Sequence, residues 1–288
     1  MDEQERAVQL YQAGLLAKNY HPETQANILL EKSARLGNAD AMCELIYSGV
    51  VPFNELTEWL KRAADNGNTK AFEALGNIYV EMVGGWYDSE AYDWFKRAVS
   101  YYEFLAEKGD AFAMKKLADL KISFLHDKWS AEGYVDFPKP PKIRKLYELA
   151  AAILKNLAEA GNVEAMIALA DIYRPMVDGV IKPKKSKAIK YLTQAFELGS
   201  PDLKITACKM LADIYDREII ISGATDNFTK AVEWFERAAA LGDFDSMCKL
   251  VELHKEAGNF TESEVWKRKA DAAQAKVLSE VENVLQNL

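Results

Sequence analysis

Histidine and cysteine are scarce in this chain, three of each in 288 residues. His21, His126 and His254 are too scattered for a paired-imidazole metal site or an acid–base couple. Cys43, Cys208 and Cys248 include no C-x-x-C spacing, which argues against a disulfide framework and against a thiolate metal site. The sequence also lacks G-x-S-x-G, a P-loop and G-x-G-x-x-G, so catalysis has no anchor and no cofactor is expected. No apolar run approaches the roughly 18 residues of a membrane span, and the opening MDEQERAVQLYQAGLL has no basic segment of the kind that begins a secretory signal. A cytoplasmic protein is expected. With 44 acids against 36 bases, the formal charge of −8 disfavours nucleic acid and anionic membranes as partners and suits a partner protein with a basic surface.

What the sequence does contain is a phrase said six times. It recurs around Gly37 (LGNADAMCEL), Gly67 (NGNTKAFEAL), Gly109 (KGDAFAMKKL), Gly161 (AGNVEAMIAL), Gly199 (LGSPDLKITACKML) and Gly242 (LGDFDSMCKL). Eight and seven residues before each Gly stand bulky pairs, among them Leu29-Leu30, Trp59-Leu60, Ile153-Leu154 and Trp234-Phe235, which read as core. Three residues before it comes Ala34, Ala64, Ala106, Ala158 or Ala239, a small side chain where helices approach closely, with Phe196 the exception. The Gly itself predicts a left-handed helix stop.

Downstream come a small residue, a bulky one and a Leu, as in Ala41-Met42-Leu45 and Ala165-Met166-Leu169. At 100° per residue these share one face, so each unit reads as an amphipathic helix, a turn and a second amphipathic helix. The fifth copy fits after inserting four residues, about one helical turn, which lengthens the helix at its start after Ser200-Pro201 and preserves Ala207-Cys208-Leu211 as core. Hairpins of this kind bury their apolar stripes only by stacking.

The runs DGVIKPKKSKAIKYLTQAFELG (178–199), preceded by Ala-x-x-x-Leu-Ala-x-x-Tyr, and KAVEWFERAAALGD (230–243) resemble Sel-1-like repeats, relatives of the tetratricopeptide class. The resemblance spans roughly residues 25–258 and implies an all-α, right-handed α-solenoid of about six helix-turn-helix repeats with terminal capping helices. One domain, 1–288, is expected: an N-terminal helix within 1–20, repeats over 21–260 with irregular insertions near 82–90 and 123–141, and a C-terminal capping helix over 261–288. Gly spacings of 30, 42, 52, 38 and 43 depart from regular repeat length in the first half.

Candidate functional residues fall into a few groups. His254 occupies the column held by Tyr79, Tyr173 and Tyr215 and reads as an aromatic packing substitute. Asn227 and Asn259 match glycosylation acceptors but read better as side-chain caps at helix starts. Lys182, Lys184, Lys185, Lys187 and Lys190 form a basic run that reads as solvated charge at a helix start. Trp129, Tyr134 and Phe137 lie on the 123–141 insertion, outside the core columns, as interface anchors or satellite packing. Ten residues after the Gly, or fourteen in the fifth copy with its four-residue insertion, Asn77, Asp119, Asp171, Asp213 and Glu252 recur roughly opposite the buried stripe, and Glu164 and Asp245 extend that face. Like charges stacked on adjacent layers are expected to repel one another until a basic ligand relieves them.

The function these features suggest is a non-catalytic protein-binding scaffold, which is also what the family resemblance implies. Its partner would sit on the concave helical surface, over Asp119, Glu164, Asp171, Asp213, Asp245 and Glu252 and the anchors Trp129, Tyr134 and Phe137. A small intracellular bacterial immunity protein that neutralises a toxin is one form of this; a general signalling or assembly adaptor is another. A third class is a hydrolase with Asp119, His126 and Asp127 in the irregular 82–141 segment, although their spacing matches no defensible motif.

Overall fold

A computed structural model of the protein describes residues 2–20, 23–45, 48, 50–65, 68, 70–71, 74–75, 89–132, 141–174, 182–222 and 225–287. Among them every regular element is an α-helix and none is a strand, as the repeat pattern predicts. The chain forms two compact units, one of residues 1–101 with 271–288, the other of residues 102–270.

The second unit contains the clearest repeats: α6 (Ala111–Glu132), α7 (Pro141–Glu159), α8 (Val163–Tyr173), α9 (Lys185–Leu198), α10 (Pro201–Ser222), α11 (Thr225–Ala240) and α12 (Phe244–Glu256). Each packs on the next, and α8 also touches α10, so these two helices, each following a Gly, meet across successive repeats within this unit. The turn between α7 and α8 shows how two residues build the corner. Gly161 takes φ 94°, a left-handed value that L side chains resist, and its N–H bonds the Ala158 carbonyl at 3.0 Å while Asn162 N–H bonds Leu157 O at 3.0 Å. The Asn162 side chain then accepts from Ala165 N–H at 2.7 Å, capping α8. Gly and its Asn or Asp neighbour thus end one helix and begin the next. Asp110 and Asp243 repeat the cap through Ala113 and Ser246.

The fifth copy departs from the expected left-handed stop. Gly199 has φ −74° and ψ 163°, an extended value open to any residue. Glycine is needed there for space, because a Cβ would lie 2.7 Å from the Ala195 carbonyl oxygen and 3.1 Å from Leu203 Cβ. We expect Gly199→Ala to cost about 1–3 kcal/mol through this overpacking, read as a lower midpoint in urea. A wild-type midpoint in that variant would show that the α9–α10 corner yields freely. The added turn itself is as predicted: α10 starts two residues after its Gly, like α8 and α12, yet buries Ala207, Cys208 and Leu211 one turn later.

Burial follows the repeat columns, with one refinement. Leu154, Leu192 and Phe235, the second members of their pairs, are buried, whereas Ile153 and Trp234 are half-buried. Adjacent residues lie 100° apart on a helix, so in these two pairs one faces the centre of the stripe and the other its edge, whereas both members of Leu29-Leu30 and of Tyr191-Leu192 are buried. Phe196, standing where other units have Ala, is half-buried and meets Trp234 edge-on at 5.5 Å. Residues 123–132 are not a loop, as the sequence suggested, but the continuation of α6. SFLHDKWSAE contains neither Gly nor Pro, and nothing before Gly133 stops the helix. Asn227 lies inside α11 rather than before it, while Asn259 directly precedes the long C-terminal helix α13 (Phe260–Asn287).

The first unit holds α1 (Glu3–Tyr20), α2 (Glu23–Arg35), α3 (Ala39–Glu44), α4 (Phe53–Asp65) and the beginning of α5 (Ser89–Glu107). Gly14 brings α1 close to α2, since a Cβ there would stand 2.8 Å from Leu30 Cγ, and Ser33 Oγ donates to Ala7 O at 2.6 Å. Leu10, Ala13, Ala17, Ala26 and Leu29 form one apolar cluster with Val277 and Val281 of α13. The last helix therefore covers the first hairpin.

Candidate partner-binding surface

The acidic column emerges in the second unit as a chain of alternating charge. Lys115 of α6 places Nζ 2.8 Å from Asp119 and 2.7 Å from Asp171 of α8. Arg174, at the end of α8, lies 2.6 Å from Asp171 and 3.9 Å from Asp213 of α10. The buried Tyr147 hydroxyl of α7 donates to Asp119 at 2.6 Å. The two cations are well enclosed, Arg174 at 12% and Lys115 at 17% exposure. The expected repulsion between stacked acids is therefore relieved from within the fold.

Charge on this row is mutually enforced. Burial disfavours the Lys115 cation, but Asp119 and Asp171 outweigh it and its pKa is raised. Burial likewise disfavours the Asp171 carboxylate, but Lys115 and then Arg174 prevail and hold its pKa below the ordinary 3.8. A depressed acid pKa contributes stability that is present above the unfolded-state value and is lost as pH falls through the folded one. Asp171→Asn should thus be less stable than wild type at neutral pH, with the gap closing as pH falls below about 4. Thermal melts across that range test it; a gap independent of pH would mean that Asp171 acts by packing alone.

Toward the end of the unit the pairing is looser and more exposed. Lys209 of α10 reaches Asp245 at 2.8 Å and the capping Asp243 at 3.5 Å, and Lys249 of α12 lies 3.6 Å from Glu252 and 3.9 Å from Asp216. Asp245 and Glu252 remain about two-thirds exposed. Glu164, on the first turn of α8, is exposed and has no ion-pair or hydrogen-bond partner among the described residues. It borders a depression of about 370 Å³ between α8 and α10, floored by apolar side chains.

The structure thus places Asp119, Asp171 and Asp213 in one row, with Glu164, Asp245 and Glu252 on the same set of helices. The sequence reading missed the cations between them. Their signal was local: Lys115 stands four residues before Asp119, Arg174 three after Asp171, Lys249 three before Glu252. Tyr147 had no such signal, because it comes from the neighbouring helix.

Trp129 lies in α6 by its backbone; its side chain, like those of His126 and Asp127, and the residues Tyr134 and Phe137 fall outside the described residues. His254 is buried and meets Phe228 edge-on at 6.1 Å, a packing residue as its column implied. The basic run has a job in packing: Lys184 and Lys187 lie 4.9 and 5.9 Å from the centre of the Tyr173 ring, and Lys185 5.5 Å from that of Tyr215. Cys208 is a buried thiol whose pKa burial raises to about 11. Among the described residues, no three His, Cys, Asp or Glu side chains gather as a metal-binding set, and no helix is long and apolar enough to cross a membrane.

Hairpins of this packing, with a Gly corner and an Ala column, define a helical-repeat protein. The Sel1 repeat family model matches residues 7–38, 57–68, 88–100, 163–200 and 205–243, so the chain carries Sel1 repeats along much of its length; repeats of that family mediate protein–protein interaction and generally serve as non-catalytic scaffolds. The 163–200 match covers α8 and α9, so the family's frame opens on the helix after the Gly; 7–38 pairs α1 with α2 in the same way. No curated protein matches the chain. Among solved structures it is similar to a Sel1 repeat protein from Oxalobacter formigenes, at 22% identity over 94% of this chain and 99% of that one, TM-score 0.38. A putative Sel1 repeat protein from Klebsiella pneumoniae subsp. pneumoniae is 21% identical over 79% and 98%, TM-score 0.38. The immunity protein Pa5087 from Pseudomonas aeruginosa is 16% identical over 83% of each chain, TM-score 0.38.

Proposed function

We propose that this protein is a non-catalytic scaffold that binds a partner with a basic surface on the face formed by the helices after each Gly. The observation that carries the reading is the exposed acid on that face, Glu164, Asp245 and Glu252, beside the internally paired row of Asp119, Asp171 and Asp213. The row fixes how the helices sit, and the exposed acids offer charge to a visitor. Trp129, Tyr134 and Phe137 join the surface as candidate anchors. The net charge of −8 supports a dedicated basic partner, the relation of an immunity protein to a toxin.

The test is purification of the tagged chain from its native host beside a variant carrying Glu164→Lys, Asp245→Lys and Glu252→Lys. These side chains are exposed and their ion pairs contribute only about 0–1 kcal/mol, so the fold should survive. A stoichiometric partner on wild type alone, with association slowed by added salt, is the expected result. A toxin in that position supports immunity, and a sensor or envelope component supports the adaptor reading. Equal retention by the variant moves the binding surface elsewhere.

A further inference from the structure

The depression beside Glu164 has chemistry that narrows the kind of side chain it accepts. Its floor is apolar and half-buried: Ile167 and Ala168 come from α8, Leu203 and Met210 from α10. Leu203 belongs to the added turn of α10, so the four-residue insertion that left the core intact also built one wall. At about 370 Å³ the depression suits one large side chain with its neighbours, at the low end of known ligand clefts. Its charged lining is uneven. Lys115 and Asp171 both line it, but they are closed on each other at 2.7 Å, and Asp171 is closed on Arg174 as well. Glu164 is left as the lining carboxylate with no partner among the described residues. The local demand is for one cation above an apolar floor.

We propose that this depression receives an arginine of the partner protein, with its methylene stem on Ile167, Ala168, Leu203 and Met210 and its guanidinium on Glu164. Long cationic side chains bury their stems on apolar surface while the charged end stays at the rim. Arginine fits better than lysine because its planar fork offers several donors. Thr206 Oγ1, also in the lining, spends its proton on the Asp202 carbonyl at 2.9 Å and keeps its lone pairs for a second donor. Buried arginines are common energetic centres of protein interfaces. The proposal rests on the scaffold reading, and fixes which residue of the partner leads.

The test titrates the full chain, with Ile, Leu and Met methyls labelled, with the peptide acetyl-Leu-Arg-Leu-amide and followed by NMR. The controls replace Arg by citrulline, which has the same shape without the charge, and by Glu. Saturating shifts at the methyls of Ile167, Leu203 and Met210 are expected with the arginine peptide, with affinity at least about tenfold lower for citrulline. Glu164→Gln should bring arginine down to the citrulline level, and its methyl spectrum reports whether the fold is intact. Absence of shifts at those three residues, or equal response to all three peptides, overturns the proposal. Its failure is distinct from failure of the scaffold reading. A host partner held by Glu164→Gln at full affinity keeps the scaffold and removes the pocket. Arginine-specific shifts without any host partner keep the pocket and remove the scaffold.

Discussion

Asp171→Lys should lower the melting temperature of the protein by roughly 6–12 °C, the largest effect expected of any single change on the exposed face of these helices. Asp171 joins both internal cations, 2.7 Å from Lys115 and 2.6 Å from Arg174. Reversal would set three cations side by side on α6 and α8, two of them largely enclosed. Removing one partner of a buried pair costs about 3–5 kcal/mol. The lower figure applies here because 31% of the Asp171 side chain is exposed. Each kcal/mol shifts the melting temperature by about 2–4 °C in a unit of this size. Glu164→Lys, on the same helix two turns earlier, should leave it within experimental error because no partner is broken. Circular dichroism melts of both variants decide the matter, and a loss below about 2 °C for Asp171→Lys would mean that water screens the row as it screens ordinary surface pairs.

Deletion of residues 271–288 should unfold or strongly loosen the first hairpin, although that hairpin lies at the opposite end of the sequence. The deletion removes Val277 and Val281, both buried against Leu10, Ala13, Ala17, Ala26 and Leu29. Burying a Val contributes about 1.5–3 kcal/mol, so the pair supplies roughly 3–6 kcal/mol before the newly exposed partners are counted. Hydrogen exchange is the direct readout. Amides of α1 and α2 should lose protection in the truncated chain while those of α8 and α9 keep theirs. Val281→Asp in the full chain should act in the same direction, by placing a carboxylate among the apolar side chains of that cluster. Unchanged protection of α1 in both would assign α13 a role in its own stability only.

Much of this architecture was legible because the repeat states each instruction several times. The Gly corners, the Ala column and the Ala-Met-Leu stripe follow from helical geometry, and even the four-residue insertion could be read, since 3.6 residues per turn makes four nearly silent. What escaped was information that appears once. Gly199 looks like its counterparts at 37, 109, 161 and 242, but Pro201 and the added turn change the corner, and the glycine serves for clearance instead of φ. The run 123–132 seemed irregular because it lies outside the repeat length, while its composition is ordinary helix. The surface was half legible. The acids stood out as a column, and the cations between them would have emerged from the same column read three and four residues to either side. Tyr147 and the depression between α8 and α10 depend on which helices touch, which no local pattern states.

The cover that α13 gives the first hairpin also sets an order of events during synthesis. Val281 is made 252 residues after Leu29, the residue it helps to bury. At ribosomal rates of about 5–20 residues per second, the apolar face of α1 and α2 waits roughly 13–50 s for its last partner. Throughout that interval α1 and α2 carry an unfinished sticky face, open to chaperones or to the same face of a neighbouring nascent chain. The first hairpin, made well before the helix that completes it, therefore reaches its final state only after α13 has been made.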